Sequence, residues 1–156
     1  MAGANSLVTQ HYPNDFQIVT VPFVAAASTS DPVVFMYADR DLVIDSVVVG
    51  IIVPGGGNGR LNIEEATAPN SSAGTIICSF NIDGGNNAAA GDTIISDTDS
   101  VVRIDAAGDS QNVGASTKIN NANNLIQKGR WVMIDFENTF AAFRGTVQIR
   151  FRSMVA

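Results

Sequence analysis

Between Gly145 and Arg152 the chain alternates without a break. Gly145, Val147, Ile149 and Phe151 fall on one side, and Thr146, Gln148, Arg150 and Arg152 on the other. A two-residue repeat belongs to a β-strand, so this stretch predicts a half-buried strand with a cationic outer face. The same period returns along most of the chain with turn residues between segments, while helical periodicity is nearly absent. Strands are predicted at Phe16–Val24, Val33–Tyr37, Leu42–Val53, Arg60–Ala66, Thr75–Ile82, Thr93–Ile95, Ser100–Ile104, Arg130–Phe136 and Gly145–Phe151. Short strands at this spacing predict an all-β fold, an antiparallel β-sandwich that is jelly-roll-like with about eight strands. Residues 1–15 carry no strand pattern and read as an extended N-terminal arm; residues 16–156 read as a single β-sandwich domain. A chain of 156 residues suits one domain with a sizeable core.

The segment Leu42–Val53 departs from the alternation, because Val47-Val-Val-Gly-Ile-Ile-Val53 is apolar at both parities. With no helices to cover a second face, two readings are open: a central strand covered by loops, or a subunit contact. The second is supported by composition. Asp, Glu, Lys and Arg make up only 15% of residues, against about 25% in an average domain, so much of the surface is expected to face something other than water. Arg130–Glu137 and Phe140-Ala-Ala-Phe143 show the same apolar excess. On pattern alone, Val47, Val49, Ile51, Trp131 and Phe143 are the candidates for self-association. Arg144, Arg150 and Arg152 are either a solvated face paired with neighbouring carboxylates or a docking surface for an acidic partner.

Charge and rare residues exclude several functions. Nine basic against fifteen acidic residues give a net charge of −6, so a nucleic-acid partner is not expected. The longest apolar runs, Val47–Val53 and Val21–Ala27, are far shorter than a membrane-spanning helix needs. The first fifteen residues lack the basic and apolar regions of a signal peptide, and the single cysteine suits folding in a reducing cytoplasm. Cys78 alternates with Ile76, Phe80 and Ile82 and reads as a small buried hydrophobe. His11 lies in the arm, so no Ser-His-Asp or Cys-His constellation is expected and the chain reads as a non-enzyme. Gly55-Gly-Gly-Asn-Gly-Arg60 lacks the Gly-Lys-Ser/Thr ending of a phosphate loop and reads as a flexible hairpin turn, with Arg60–Ala66 returning as partner. Glu64 and Glu65 fall on opposite faces of a strand and cannot both line one cleft. Asp92, Asp97, Asp99 and Asp105 could supply calcium ligands, but acidic turns more often bind their own backbone. No metal and no cofactor is expected.

Taken together, the polar arm, Phe16-Gln-Ile-Val-Thr-Val-Pro-Phe-Val24, Leu42-Val-Ile-Asp-Ser-Val-Val-Val49, the Gly-rich turn, Asn124–Glu137 and Gly145–Phe151 resemble a known type. The chain is similar to the β-sandwich or jelly-roll decoration (cement) proteins of tailed-bacteriophage capsids. The resemblance implies a structural virion protein made in the host cytoplasm. It would form a homotrimer, bind the outer capsid surface through the major capsid protein, and stabilise capsomer contacts. The arm would reach across the lattice, with Leu7, Val8, His11 and Tyr12 joining Arg144, Arg150 and Arg152 in capsid docking. The alternative is a ligand- or receptor-binding β-sandwich module of a phage fibre or lectin-like type.

Overall fold

The computed structural model describes the backbone of residues 16–24 and residues 33–69, 74–84, 88–111, 113–114, 116–137 and 143–154 in full. The proposed arm, residues 1–15, lies outside them. Eleven strands follow in order: β1 (Phe16–Val24), β2 (Val33–Tyr37), β3 (Leu42–Val53), β4 (Arg60–Ala66), β5 (Thr75–Asn81), β6 (Thr93–Asp97), β7 (Val101–Ile104), β8 (Ser110–Gln111), β9 (Leu125–Ile126), β10 (Trp131–Glu137) and β11 (Arg144–Ser153). They form two sheets, one in the order β1-β11-β3-β6-β7-β8 with β9 beside β3, the other β2-β10-β4-β5. Every strand pairing within them is antiparallel.

With β7, β8 and β9 set aside as an insertion, the strands read 1-11-3-6 and 2-10-4-5. That is the strand order of a jelly roll, in which the chain crosses repeatedly between two facing sheets. The all-β sandwich expected from the alternation is therefore the fold. One local expectation fails. Arg60–Ala66 does not return as a hairpin partner of β3, since β4 pairs with β10 and β5 in the opposite sheet. The Gly-rich turn carries the chain across the sandwich, and it is anchored there. Gly55 N–H donates to the Ile82 carbonyl and Gly84 N–H to the Gly55 carbonyl, both at 2.8 Å. Gly57, at φ 63°, supplies the left-handed residue that this crossing needs.

The core lies between the sheets. From the large sheet come Val47, Val49, Ile51, Ile94, Val147, Ile149 and Phe151; from the small one, Leu61, Ile63, Cys78, Phe80, Val132, Ile134 and Phe136. Along one open side, residues 116–120 tie the sheets together. Thr117 N–H donates to the Ser79 carbonyl of β5 at 2.8 Å, and Ile119 N–H to the Asp97 carbonyl of β6 at 2.9 Å. Ile119 fills the seam between them with its side chain.

Candidate functional surfaces

The structure separates the predicted self-association residues. Val47, Val49 and Phe143 are 0% exposed and Ile51 3%, all within a single chain and all in its core. Their burial is intramolecular, and a side chain enclosed by its own fold presents no surface to a second copy. Val47, Val49, Ile51 and Phe143 are therefore core residues, not the self-association surface the pattern suggests. Trp131 stands apart, half-buried on the outer face of the small sheet, where its ring meets Tyr37 at a centroid distance of 4.8 Å and 56°. Tyr37 is exposed on β2, with Val33 and Val34 beside it, so this sheet ends in an apolar edge strand.

Of the predicted docking residues, Leu7, Val8, His11 and Tyr12 lie outside the described residues. Arg144 and Arg150 are exposed on β11. Arg152 sits 3.5 Å from Asp45 of β3, the pairing that a solvated strand face would make. Arg152 therefore faces a neighbouring carboxylate, and Arg144 and Arg150 are exposed on the same strand.

The acidic turns hold their own backbone. The Asp97 carboxylate accepts the Asp99 N–H at 2.8 Å and the Ser100 N–H at 2.6 Å. The Ser100 N–H foremost, set against slight burial, holds its carboxyl below the usual range. Asp105 accepts the N–H groups of Ala107 and Asp109, each at 2.9 Å. Asp92 is buried, accepts the Ala89 N–H at 2.8 Å and lies 3.5 Å from Arg103. Among the described residues no group of three or more His, Cys, Asp and Glu side chains is placed to hold a metal ion. Cys78 is wholly buried, and desolvation pushes its thiol far above the ordinary range.

Two features escaped the sequence reading. The first is a cleft of about 820 Å³ between β5 and the bridging segment, lined by Ile76, Thr117, Lys118, Asn120, Asn121 and Asn123. In sequence, residues 106–124 are a polar stretch rich in Gly, Asn and Ser, and the apolar Ile119 within it, buried here, is the signal of an anchored wall. Asn123 Nδ2 donates to the Ile76 carbonyl at 3.0 Å and fixes the rim.

The second is a buried polar row on the outer face of the small sheet. Ser79 Oγ donates to Asn62 Oδ1 at 2.6 Å, Asn62 Nδ2 approaches Glu64 Oε1 at 3.5 Å, and Gly74 N–H donates to Glu64 Oε2 at 2.9 Å. Burial, with repulsion from Asp135 and Glu137 of β10, outweighs those hydrogen bonds and raises the Glu64 pKa. Asp135 is raised for the same reasons, desolvation first. A carboxyl with a raised folded-state pKa contributes stability that is full below its unfolded value and is lost as pH rises through the folded one. Glu64→Gln, which keeps an acceptor for Gly74, and Asp135→Asn should each raise the unfolding midpoint at pH 7. Each should also flatten the gain in midpoint between pH 7 and 5, measured by thermal denaturation monitored by circular dichroism.

Fold and surfaces together define a class: an all-β jelly-roll domain of two packed antiparallel sheets. Compared with known proteins, the chain matches no family model and no curated protein. Among solved structures it is similar to a chain from work described as "Bacillus endospore appendages form a novel family of disulfide-linked pili". The identity is 16%, the match covers 91% of this chain and 88% of that one, and the TM-score is 0.37. A likeness this distant carries no argument about function.

Proposed function

We propose that this chain is a non-catalytic structural virion protein, a capsid decoration protein that binds the outer capsid surface and stabilises capsomer contacts. The observation that supports it is the character of the surface. The exposed large apolar residues Val33, Val34, Tyr37 and Ile52 lie on sheet edges and faces suited to protein contact. A cement protein works by addition. Where one molecule spans two capsomers, its binding must be broken before they part, and several copies joined together make weak single contacts effective. Its partners are other copies of itself and the major capsid protein, and its location is the virion.

The test is sedimentation of the purified chain with shells of the major capsid protein, and heat disruption of decorated and bare shells. Binding with a higher disruption temperature is expected. Deleting residues 1–15 should leave a folded protein that binds shells poorly. Equal binding without the arm would remove the arm's role, and no binding by the full chain would remove the function. The second reading, a ligand- or receptor-binding module, is favoured by the cleft beside Ile76 and Asn121. Saturable ligand binding there, without shell binding, would select it.

A further inference from the structure

The segment that bridges the sheets runs into Asn120-Asn-Ala-Asn-Asn124, four asparagines in five residues, beside the exposed Ile76 of β5. These amides stand on a fixed wall. The Thr117 and Asn120 N–H groups donate to the Ser79 and Ile77 carbonyls at 2.8 and 2.9 Å, and Ser79 N–H donates to Thr117 Oγ1 at 2.9 Å. With Asn123 Nδ2 on the Ile76 carbonyl, these bonds occupy the backbone edge of β5, so a peptide cannot add there as a further strand. Two of the amides are held by one atom. Asn120 Oδ1 accepts the Ala122 N–H at 3.0 Å, which leaves its Nδ2 as a donor, and Asn123 keeps its Oδ1 as an acceptor. Asn121 is exposed and bonds no other side chain or backbone group among the described residues, so its donor and acceptor are both open. Thr117 accepts from Ser79 and retains its own O–H to donate. Lys118 carries the only charge among the described residues of the lining, and it acts on the nearby Asp97 carboxylate.

We propose that this cleft is a binding site for a neutral saccharide. A sugar ring carries hydroxyl groups that both donate and accept, set around apolar C–H faces. The lining offers both halves: amide and hydroxyl groups of either sense from Thr117, Asn120, Asn121 and Asn123, and an aliphatic patch from Ile76, which is 42% exposed. Because the fold already holds one atom of the Asn120 and Asn123 amides, less side-chain freedom is lost when a ligand engages the other. The cleft volume of about 820 Å³ lies within the range of roughly 300–1,000 Å³ usual for small-molecule sites. An anionic ligand fits less well, since no arginine is among the described lining residues and the one lysine is opposed by Asp97. A wholly apolar ligand would strip water from the amides and give nothing back. A saccharide site here rests on the ligand-binding reading of the cleft and is independent of capsid binding.

The test is titration of the isotope-labelled full chain with glucose, galactose, mannose and N-acetylglucosamine, followed by NMR of its backbone and side-chain amides. At least one sugar should shift the side-chain signals of Asn120 and Asn121 and the backbone signals of residues 117–123, saturating at millimolar concentration. Asn121→Ala removes a donor and an acceptor without breaking a bond within the fold. It should keep the wild-type unfolding midpoint and weaken binding roughly tenfold. Ile76→Thr keeps a β-branched residue in the strand and should weaken binding about fourfold through lost apolar contact. No saturable shift with any of the four sugars overturns the proposal. So do shifts centred away from Ile76 and residues 117–123, or binding that both variants leave unchanged. Inorganic phosphate is the control for Lys118: saturation of the same signals by phosphate and not by sugar overturns the saccharide class and leaves the cleft a ligand site. Shell binding by a chain that ignores all four sugars overturns the saccharide site and leaves the decoration reading standing.

Discussion

Replacing Val49 by lysine should leave no stably folded protein, whereas the same change one residue earlier, Val48→Lys, should fold. Val49 is wholly buried and stands opposite Val147 on β11 and Ile94 on β6, both also buried. An ammonium there meets no acceptor or counter-charge among those neighbours, and an unpaired buried charge costs several kcal/mol. A domain's whole stability is only about 5–15 kcal/mol. Val48 points outward between Gln148 and Ile95 and is partly exposed. A lysine there can lie along the face and carry its charge to water, so the change in stability should stay within about 1 kcal/mol. Urea denaturation of both variants distinguishes them. A Val49→Lys protein with the wild-type midpoint would show that this side of β3 does not face the core.

That pair of neighbours marks where the sequence stopped being legible. On β11 the two parities differ in chemistry: Val147, Ile149 and Phe151 are buried, and Arg150 is exposed, as the alternation predicts. On β3 both parities are apolar, so the pattern gives the strand but not what buries each side. The pattern makes Val47, Val49 and Ile51 candidates for a subunit contact, yet they form the core of one chain, and the half-open side belongs to Val48, Gly50 and Ile52. Connections were opaque for a related reason. A Gly-rich turn looks alike whether it closes a hairpin or carries the chain between sheets, and only the pairing of β4 with β10 and β5 decides it. On β4, Asn62 and Glu64 alternate with Leu61 and Ile63 as solvent-facing residues would, but both are buried. Polar identity at alternate positions specifies a face, and what later covers that face is set by tertiary structure.

The β3–β11 ladder also contains, among the described glycines, the one least able to accept a side chain. Gly145 is buried and faces inward, beside a bulge between Arg144 and Gly145. A Cβ added there would run into the Gly50 carbonyl oxygen and stand 2.7 Å from Cζ of Phe143. Neither neighbour can yield cheaply. The carbonyl belongs to the backbone of the paired strand, and the Phe143 ring is wholly buried among core residues. Gly145→Ala should therefore cost about 3 kcal/mol, the upper range for overpacking a core. In a domain of this size that corresponds to a fall of roughly 6–12 °C in midpoint. Gly50→Ala, in the same ladder, is the control. Its Cβ would lie 2.8 Å from Oγ1 of Thr146, on the partly exposed outer face. That hydroxyl ends a side chain that can rotate away, so the cost should stay below about 1 kcal/mol. Urea midpoints at unchanged m-value measure both. Equal losses at the two glycines would mean that strand backbone strain dominates. A large loss at Gly145 alone would establish that the Gly50 carbonyl and Phe143 together occupy the space a side chain at Gly145 would need.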